Sequence, residues 1–146
     1  MRSFIIVLVV CSFFLPTAAS LSAGPVSSEE SSFVLTKATE NKLFAVEIRL
    51  SRNNLVVGQN SATLLISDEK ENSVSGAEVR VLPVITAHGE STSLRPFVQE
   101  KSDGRYSVEN LYIDMEGNWT LKIMIRKGEI SDNVSFDFPG VKRRTP

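Results

Sequence analysis

Cysteine and histidine are almost absent from this chain of 146 residues, which holds one of each. Cys11 lies inside an apolar stretch at residues 4–15, FIIVLVVCSFFL, so the chain beyond that stretch has no thiol. This excludes a disulfide scaffold, a cysteine nucleophile and a thiolate metal site from the remaining domain. A domain without disulfides must be held by its apolar core, and about 120 residues are enough to form one.

Sequence signals of catalysis and of nucleic-acid binding are also missing. The 16 basic and 17 acidic residues are nearly balanced and form no basic stripe, so we expect no nucleic-acid partner. No phosphate loop, dinucleotide fingerprint, zinc signature or G-x-S-x-G elbow occurs. Ser91 and Ser93 follow His88 closely but lack an ordered acidic partner, and the turn DEKENS at residues 68–73 lacks calcium-loop spacing. We therefore predict that the protein is not an enzyme.

The first residues have the pattern of a signal peptide. A short basic start, MRS, precedes the apolar stretch, and Pro16 and small residues follow it. The stretch is shorter than the roughly 20 residues that a membrane-spanning helix needs. We expect cleavage after Ala19, with Ala23 as the alternative, and no stable membrane span afterwards. Lipidation of Cys11 is a minor alternative, because valines rather than a small residue precede it. The predicted location is periplasmic or secreted.

The rest of the chain alternates with period 2 and shows no amphipathic helix. The clearest strand is FAVEIRL at residues 44–50, and a second row places Trp119, Leu121, Ile123 and Ile125 on one face. Asp103-Gly104 predicts a hairpin, and Pro83 and Pro139 are expected to close their strands. This pattern predicts an all-β, immunoglobulin-like β-sandwich of seven to eight antiparallel strands. The expected domains are a signal peptide at 1–19, a flexible lead at 20–31, the sandwich at 32–140 and a basic tail at 141–146.

Two stretches of the sandwich resemble a known family. They are GQNSATLLISDEKENSVSGAEVRVLP at residues 58–83 and AHGESTSLRPFVQEKSDGRYSVENLYIDMEGNWTLKIMI at residues 87–125. The order of the G-A-x-V strand, the His-Gly loop, the G-x-Y strand and the M-x-G-x-W turn is similar to the YtkA-like domain of exported bacterial proteins. The resemblance implies an immunoglobulin-type sandwich. It also implies a connection with copper handling or oxidase assembly, because some relatives have these roles.

His88 and Met115 are the candidate metal ligands. Metal-handling relatives carry loops rich in Met and His around the position of His88, whereas residues 82–93 here contain one histidine and no methionine. Thioethers select Cu(I) and imidazole suits either copper oxidation state. If the two loops share one end of the sandwich, His88 and Met115 could hold Cu(I) weakly; otherwise His88 is a loop residue beside Gly89, for which a positive φ angle is expected.

Two functions therefore remain open. The first is a non-enzymatic binding or interaction module without a cofactor, which docks a protein partner in the cell envelope through its loops or a sheet edge. The second is a copper-handling accessory protein with a weak Cu(I) site at His88 and Met115. The shortage of Met and His favours the first function, and the family resemblance supports the second.

Overall fold

A computed structural model describes residues 33–87, 89 and 94–144, and these residues form eight β-strands and no helix. The described chain accordingly has no helix that could cross a membrane. The predicted signal peptide and flexible lead lie outside the described residues. The strands are β1 (Phe33–Ala38), β2 (Phe44–Leu50), β3 (Gly58–Asp68), β4 (Glu78–Ile85), β5 (Phe97–Ser102), β6 (Arg105–Ile113), β7 (Gly117–Lys127) and β8 (Ile130–Val141).

The strands form two antiparallel sheets with immunoglobulin topology. One sheet has the order β1-β2-β3-β6-β5 and the other has the order β4-β7-β8. If β2 is taken as the first immunoglobulin strand, the sheets become A-B-E-D and C-F-G, which is the constant-domain arrangement. β1 adds a further strand at the edge beside β2. The prediction of an all-β sandwich with seven to eight antiparallel strands is confirmed.

Side-chain alternation places one apolar face of each sheet in a shared core. Along β2, Phe44, Val46, Ile48 and Leu50 are buried, and along β7 the buried residues are Trp119, Leu121, Ile123 and Ile125. The indole of Trp119 is 2% exposed and belongs to the same buried cluster as Tyr106, Val46 and Ile48. Its Nε1–H donates to the Met115 carbonyl oxygen at 3.1 Å, so the ring is buried without leaving its polar group unpaired.

Two strands continue through prolines that were expected to end them. Pro83 lies inside β4, opposite Leu121 of β7, and Pro139 lies inside β8. Both strands are at the edge of the three-stranded sheet, so each has a ladder partner on one side only. A residue without an N–H group can face the open side of an edge strand without breaking a hydrogen bond. The expected strand ends were therefore wrong.

The β5–β6 hairpin turns at Asp103-Gly104 as the sequence indicates. Gly104 and the nearby Tyr106 of β6 both contact the interior of the sandwich. Gly104 has a φ angle of 67°, and a Cβ atom there would lie 2.7 Å from the Ile66 carbonyl oxygen. Two residues later, the Tyr106 hydroxyl donates to Val74 O at 2.7 Å and accepts from Ala77 N at 3.1 Å. This hydroxyl fastens the β3–β4 connection, which crosses between the two sheets, to the buried side of β6.

A buried carboxylate joins the β1–β2 turn to the start of β8. Asp132, which is 3% exposed, accepts hydrogen bonds from the backbone N–H groups of Asn41, Leu43 and Asn133 and from the Asn41 side chain. Burial alone would raise the pKa of Asp132. The hydrogen bonds from these N–H groups outweigh burial and lower the pKa to about 2. The residue stays ionised because it is fully hydrogen-bonded.

Candidate functional site

The loop that follows β4 and the β6–β7 turn lie at the same end of the sandwich. Ile85, the last residue of β4, pairs with Trp119 near the start of β7, and the Thr86 N–H donates to Asn118 O at 2.9 Å. Gly117 lies so close that a Cβ atom there would be 3.6 Å from the Ile85 side chain. The chain entering the His88 segment therefore lies beside the turn that carries Met115.

Of the two predicted metal ligands, only Met115 lies within the described residues. His88 lies outside the described residues, whereas its neighbour Gly89 has a φ angle of 64° and donates its N–H to Ile85 O at 3.0 Å. The expectation of a positive φ angle at Gly89 is confirmed. Met115 is 46% exposed, and the bond from Trp119 to its carbonyl oxygen fixes the turn. A His88–Met115 site stays a prediction.

An exposed apolar surface also lies at this end; we call Leu94, Phe97, Tyr112 and Met115 the corner patch. They are 56%, 54%, 39% and 46% exposed, and they are four of the seven large apolar side chains that are exposed in the described part of the chain. Large apolar groups that share a surface region are typical of contact sites, whereas single ones are ordinary.

A β-bulge in β6 turns Tyr112 outward. Asn60 of β3 is opposite Leu111 and Ala62 is opposite Val108, so β6 has one residue more than β3 between these pairs. Asn110, at the extra position, has a φ angle of 56°. A bulge exchanges the faces of the residues that follow it, so Tyr112 faces solvent. Phe97 at the start of β5 is beside Glu109, which is also exposed.

Metal-binding side chains are sparse at this end of the described chain. No group of three or more His, Cys, Asp and Glu side chains is placed to hold a metal ion within the described residues. The other exposed methionine, Met124, is opposite Arg80 and Asn133 on the outer face of the three-stranded sheet. Asp114 and Glu116 flank Met115 in the turn, but their oxygens suit harder ions than Cu(I).

The shifted carboxylates lie elsewhere and stabilise local structure. Hydrogen bonds from Arg80 and then from Arg126 hold the pKa of Glu78 below its ordinary value on the outer face of the three-stranded sheet. Hydrogen bonds from Asn72 lower the pKa of Asp68 at the end of β3. These carboxylates bind neighbouring donors, so nothing in their arrangement indicates an acid or base for catalysis.

Comparison with known proteins assigns the family. The family model described as YtkA-like matches residues 25–124. The chain belongs to the YtkA-like family. The match spans the strands from β1 into β7 and covers both stretches that carried the resemblance in the sequence, except for the last residue of the second, which confirms that prediction. A search of the curated proteins finds no match to this YtkA-like chain.

Two solved structures align with this YtkA-like protein. A copper-bound variant of FetP from uropathogenic Escherichia coli strain F11 aligns with a TM-score of 0.50 and 12% identity, over 75% of this chain and 96% of that one. The as-isolated FetP of the same strain, expressed recombinantly in the periplasm, aligns with a TM-score of 0.49 and 13% identity, over 75% and 95%. At this identity the first likeness supports the β-sandwich fold and does not extend to particular residues.

Proposed function

We propose that this YtkA-like protein is an exported, non-enzymatic binding module that contacts a protein in the cell envelope through the corner patch. One observation carries the proposal. Four of the seven exposed large apolar side chains of the described chain lie at the end of the sandwich where the β4–β5 and β6–β7 connections meet. Immunoglobulin-like sandwiches commonly bind through the loops at one end, because the two sheets form a rigid scaffold that positions those loops.

The chemistry of the patch matches a protein contact. Aromatic residues and methionine are enriched in interface cores, and this patch contains Phe97, Tyr112 and Met115. The Trp119 bond to the Met115 carbonyl oxygen and the bulge at Asn110 define the backbone at Met115 and Tyr112. These two residues therefore lose little backbone freedom on binding, which favours affinity.

Site-specific photo-crosslinking in living cells tests the binding module. A photoreactive phenylalanine analogue in place of Phe97 should give a discrete crosslinked adduct in the envelope fraction, and the substitution Tyr112→Ser in the same protein should reduce its yield. Val34, which is 44% exposed on β1, provides the matched control position. No adduct from position 97, or equal adducts from positions 97 and 34, would contradict a contact surface at the patch.

Copper handling is the second candidate, and the position of Met115 favours it. Met115 is 46% exposed, it lies at the same end as the residues flanking His88, and the structurally similar FetP variant is copper-bound. His88 and Met115 would provide one imidazole and one thioether, two ligands where a tight site usually has three or four. We therefore expect weak Cu(I) binding and still weaker Zn(II) binding.

Competition with a Cu(I) chelator tests the copper candidate. On this candidate His88→Ala and Met115→Leu should each release copper to the chelator more readily than the parent does. Met124→Leu is the matched control, because it removes an exposed thioether from the outer face of the other sheet. If the parent and all three variants release copper equally, His88 is a structural loop residue and the binding module alone remains.

A further inference from the structure

A second surface feature at this end is a cleft between the β2–β3 connection and the last described residues. Its volume is about 630 Å³, within the range of pockets that hold small organic molecules. The lining contains Leu50, Ser51, Arg52, Asn54, Leu55, Val57, Gly58, Gln59, Asn60, Ser61 and Arg144. None of these residues belongs to the corner patch, so the cleft is a separate site.

Hydrogen bonds hold both walls of the cleft. The Asn60 side chain donates to Val56 O at 2.8 Å and accepts from Val56 N at 3.0 Å, which closes the end of the β2–β3 connection. The Val57 N–H then donates to Lys142 O at 3.0 Å, and the Asn54 side chain donates to Pro139 O at 3.0 Å. These bonds fasten the chain after β8 to the connection and bring Arg144 to the same cleft as Arg52.

The charged side chains that line the cleft are all positive. Arg52 and Arg144 are its charged lining residues, and the described lining contains no aspartate or glutamate. Within the described chain neither guanidinium has an ion pair, whereas Arg49, Arg80 and Arg126 each pair with a glutamate. A guanidinium stays charged at any physiological pH. Two such groups in one concavity therefore favour an anion from outside the described chain.

We propose that this cleft binds an organic phosphate monoester. A phosphate monoester carries nearly two negative charges near neutral pH and offers three acceptor oxygens, so it can satisfy both guanidiniums. A single carboxylate has one negative charge and neutralises only one of them. The apolar side chains of Leu50, Leu55 and Val57 provide surface for the organic part of the ligand. The ligand is either a soluble phosphate ester or the headgroup of a phospholipid with a terminal phosphate.

Two binding measurements on the purified protein distinguish these sources. Calorimetric titration with glycerol 3-phosphate tests the soluble ester. Sedimentation with phosphatidylcholine vesicles, with and without phosphatidic acid, tests the lipid headgroup. Arg52→Gln and Arg144→Gln should each weaken binding about tenfold, because each removes hydrogen bonds to a charged group. Arg105→Gln, on the exposed side of β6 and outside the cleft, is the matched control and should bind as the parent does.

Each outcome decides the proposal. Binding of either probe supports it and identifies the source, provided that Arg52→Gln and Arg144→Gln weaken the binding and Arg105→Gln does not. The proposal is wrong if the parent binds neither probe, or if acetate binds as tightly as glycerol 3-phosphate. It is also wrong if the two cleft variants bind like the parent. Because Phe97 and Met115 lie outside the cleft, these results are independent of the proposed protein contact and of copper binding.

Discussion

Replacing Asp132 by asparagine should destabilise the fold, and the loss should depend on pH. The substitution keeps the shape of the side chain but places an NH₂ group where Oδ2 accepts from Asn41 N at 3.1 Å and from Leu43 N at 3.3 Å. Donors then face donors in a buried site, and an unsatisfied buried polar group costs about 1–3 kcal/mol. We expect the free energy of unfolding to fall by about 2 kcal/mol at pH 7.

The sign of the pH dependence follows from the lowered pKa. A carboxylate whose pKa falls from 3.8 to about 2 on folding contributes stability above pH 4, and the contribution is lost as the pH falls towards 2. The shift corresponds to at most about 2.5 kcal/mol, and screening by solvent close to the turn reduces this to about 1–2 kcal/mol. The difference in stability between the parent and Asp132→Asn should therefore narrow between pH 5 and pH 2.

Urea unfolding followed by Trp119 fluorescence measures both effects. Asp137→Asn is the matched control, because it makes the same chemical change on β8 at a side chain that is 70% exposed. Its cost should be below about 0.5 kcal/mol. Equal midpoints for the two variants would refute the stabilising role of the Asp132 carboxylate, and so would a parent–variant difference that is the same at pH 3 and pH 7.

Three further predictions test the core, a buried hydroxyl and export. Trp119→Ala should lower the free energy of unfolding by about 3–5 kcal/mol, because a buried large aromatic side chain is removed. Because the variant lacks the only tryptophan of the chain, its unfolding is followed by circular dichroism, and an unchanged urea midpoint would contradict this. Tyr106→Phe should cost about 1–2 kcal/mol, since Val74 O and Ala77 N both lose their partner, and should accelerate hydrogen exchange in the β3–β4 connection. The intact mass of protein from an envelope fraction should correspond to an amino terminus at Ser20 or close to it, and a mass that retains the leader or carries lipid would rule out the predicted processing.

The sequence predicts the sandwich well because burial alternates along most strands. FAVEIRL and the row that starts at Trp119 have the predicted faces. Tyr112 shows where alternation is insufficient: counted in twos from Tyr106 and Val108 it would point inward, but the bulge at Asn110 reverses the faces beyond it. The bulge leaves only a weak trace in the sequence, a shift of the apolar residues from Tyr106 and Val108 to Leu111 beyond Asn110, and strict alternation misses it.

The basic cleft could not be predicted from the sequence either, because its two arginines come from distant parts of the chain. Arg52 and Arg144 are far apart in the sequence, and the terminal residues VKRRTP have the composition of a solvated tail. Their proximity depends on the parallel bridge between Val56 and Lys142, which forms only once β8 is in place. The pair of His88 and Met115 could be predicted on the condition that their two loops share one end of the sandwich, whereas no motif connects the two arginines.

The prolines and covering segments at the edge strands affect how readily the protein aggregates at high concentration. An exposed edge strand offers unpaired N–H and C=O groups to a second molecule, and proteins often limit such pairing with proline or with covering segments. Pro83 removes a donor within β4, Pro96 directly precedes β5, and the β1–β2 turn covers part of β8 through the bond from Glu40 N to Asn133 O. Storage at high protein concentration should therefore not lead to open-ended, edge-to-edge pairing of molecules through these three strands.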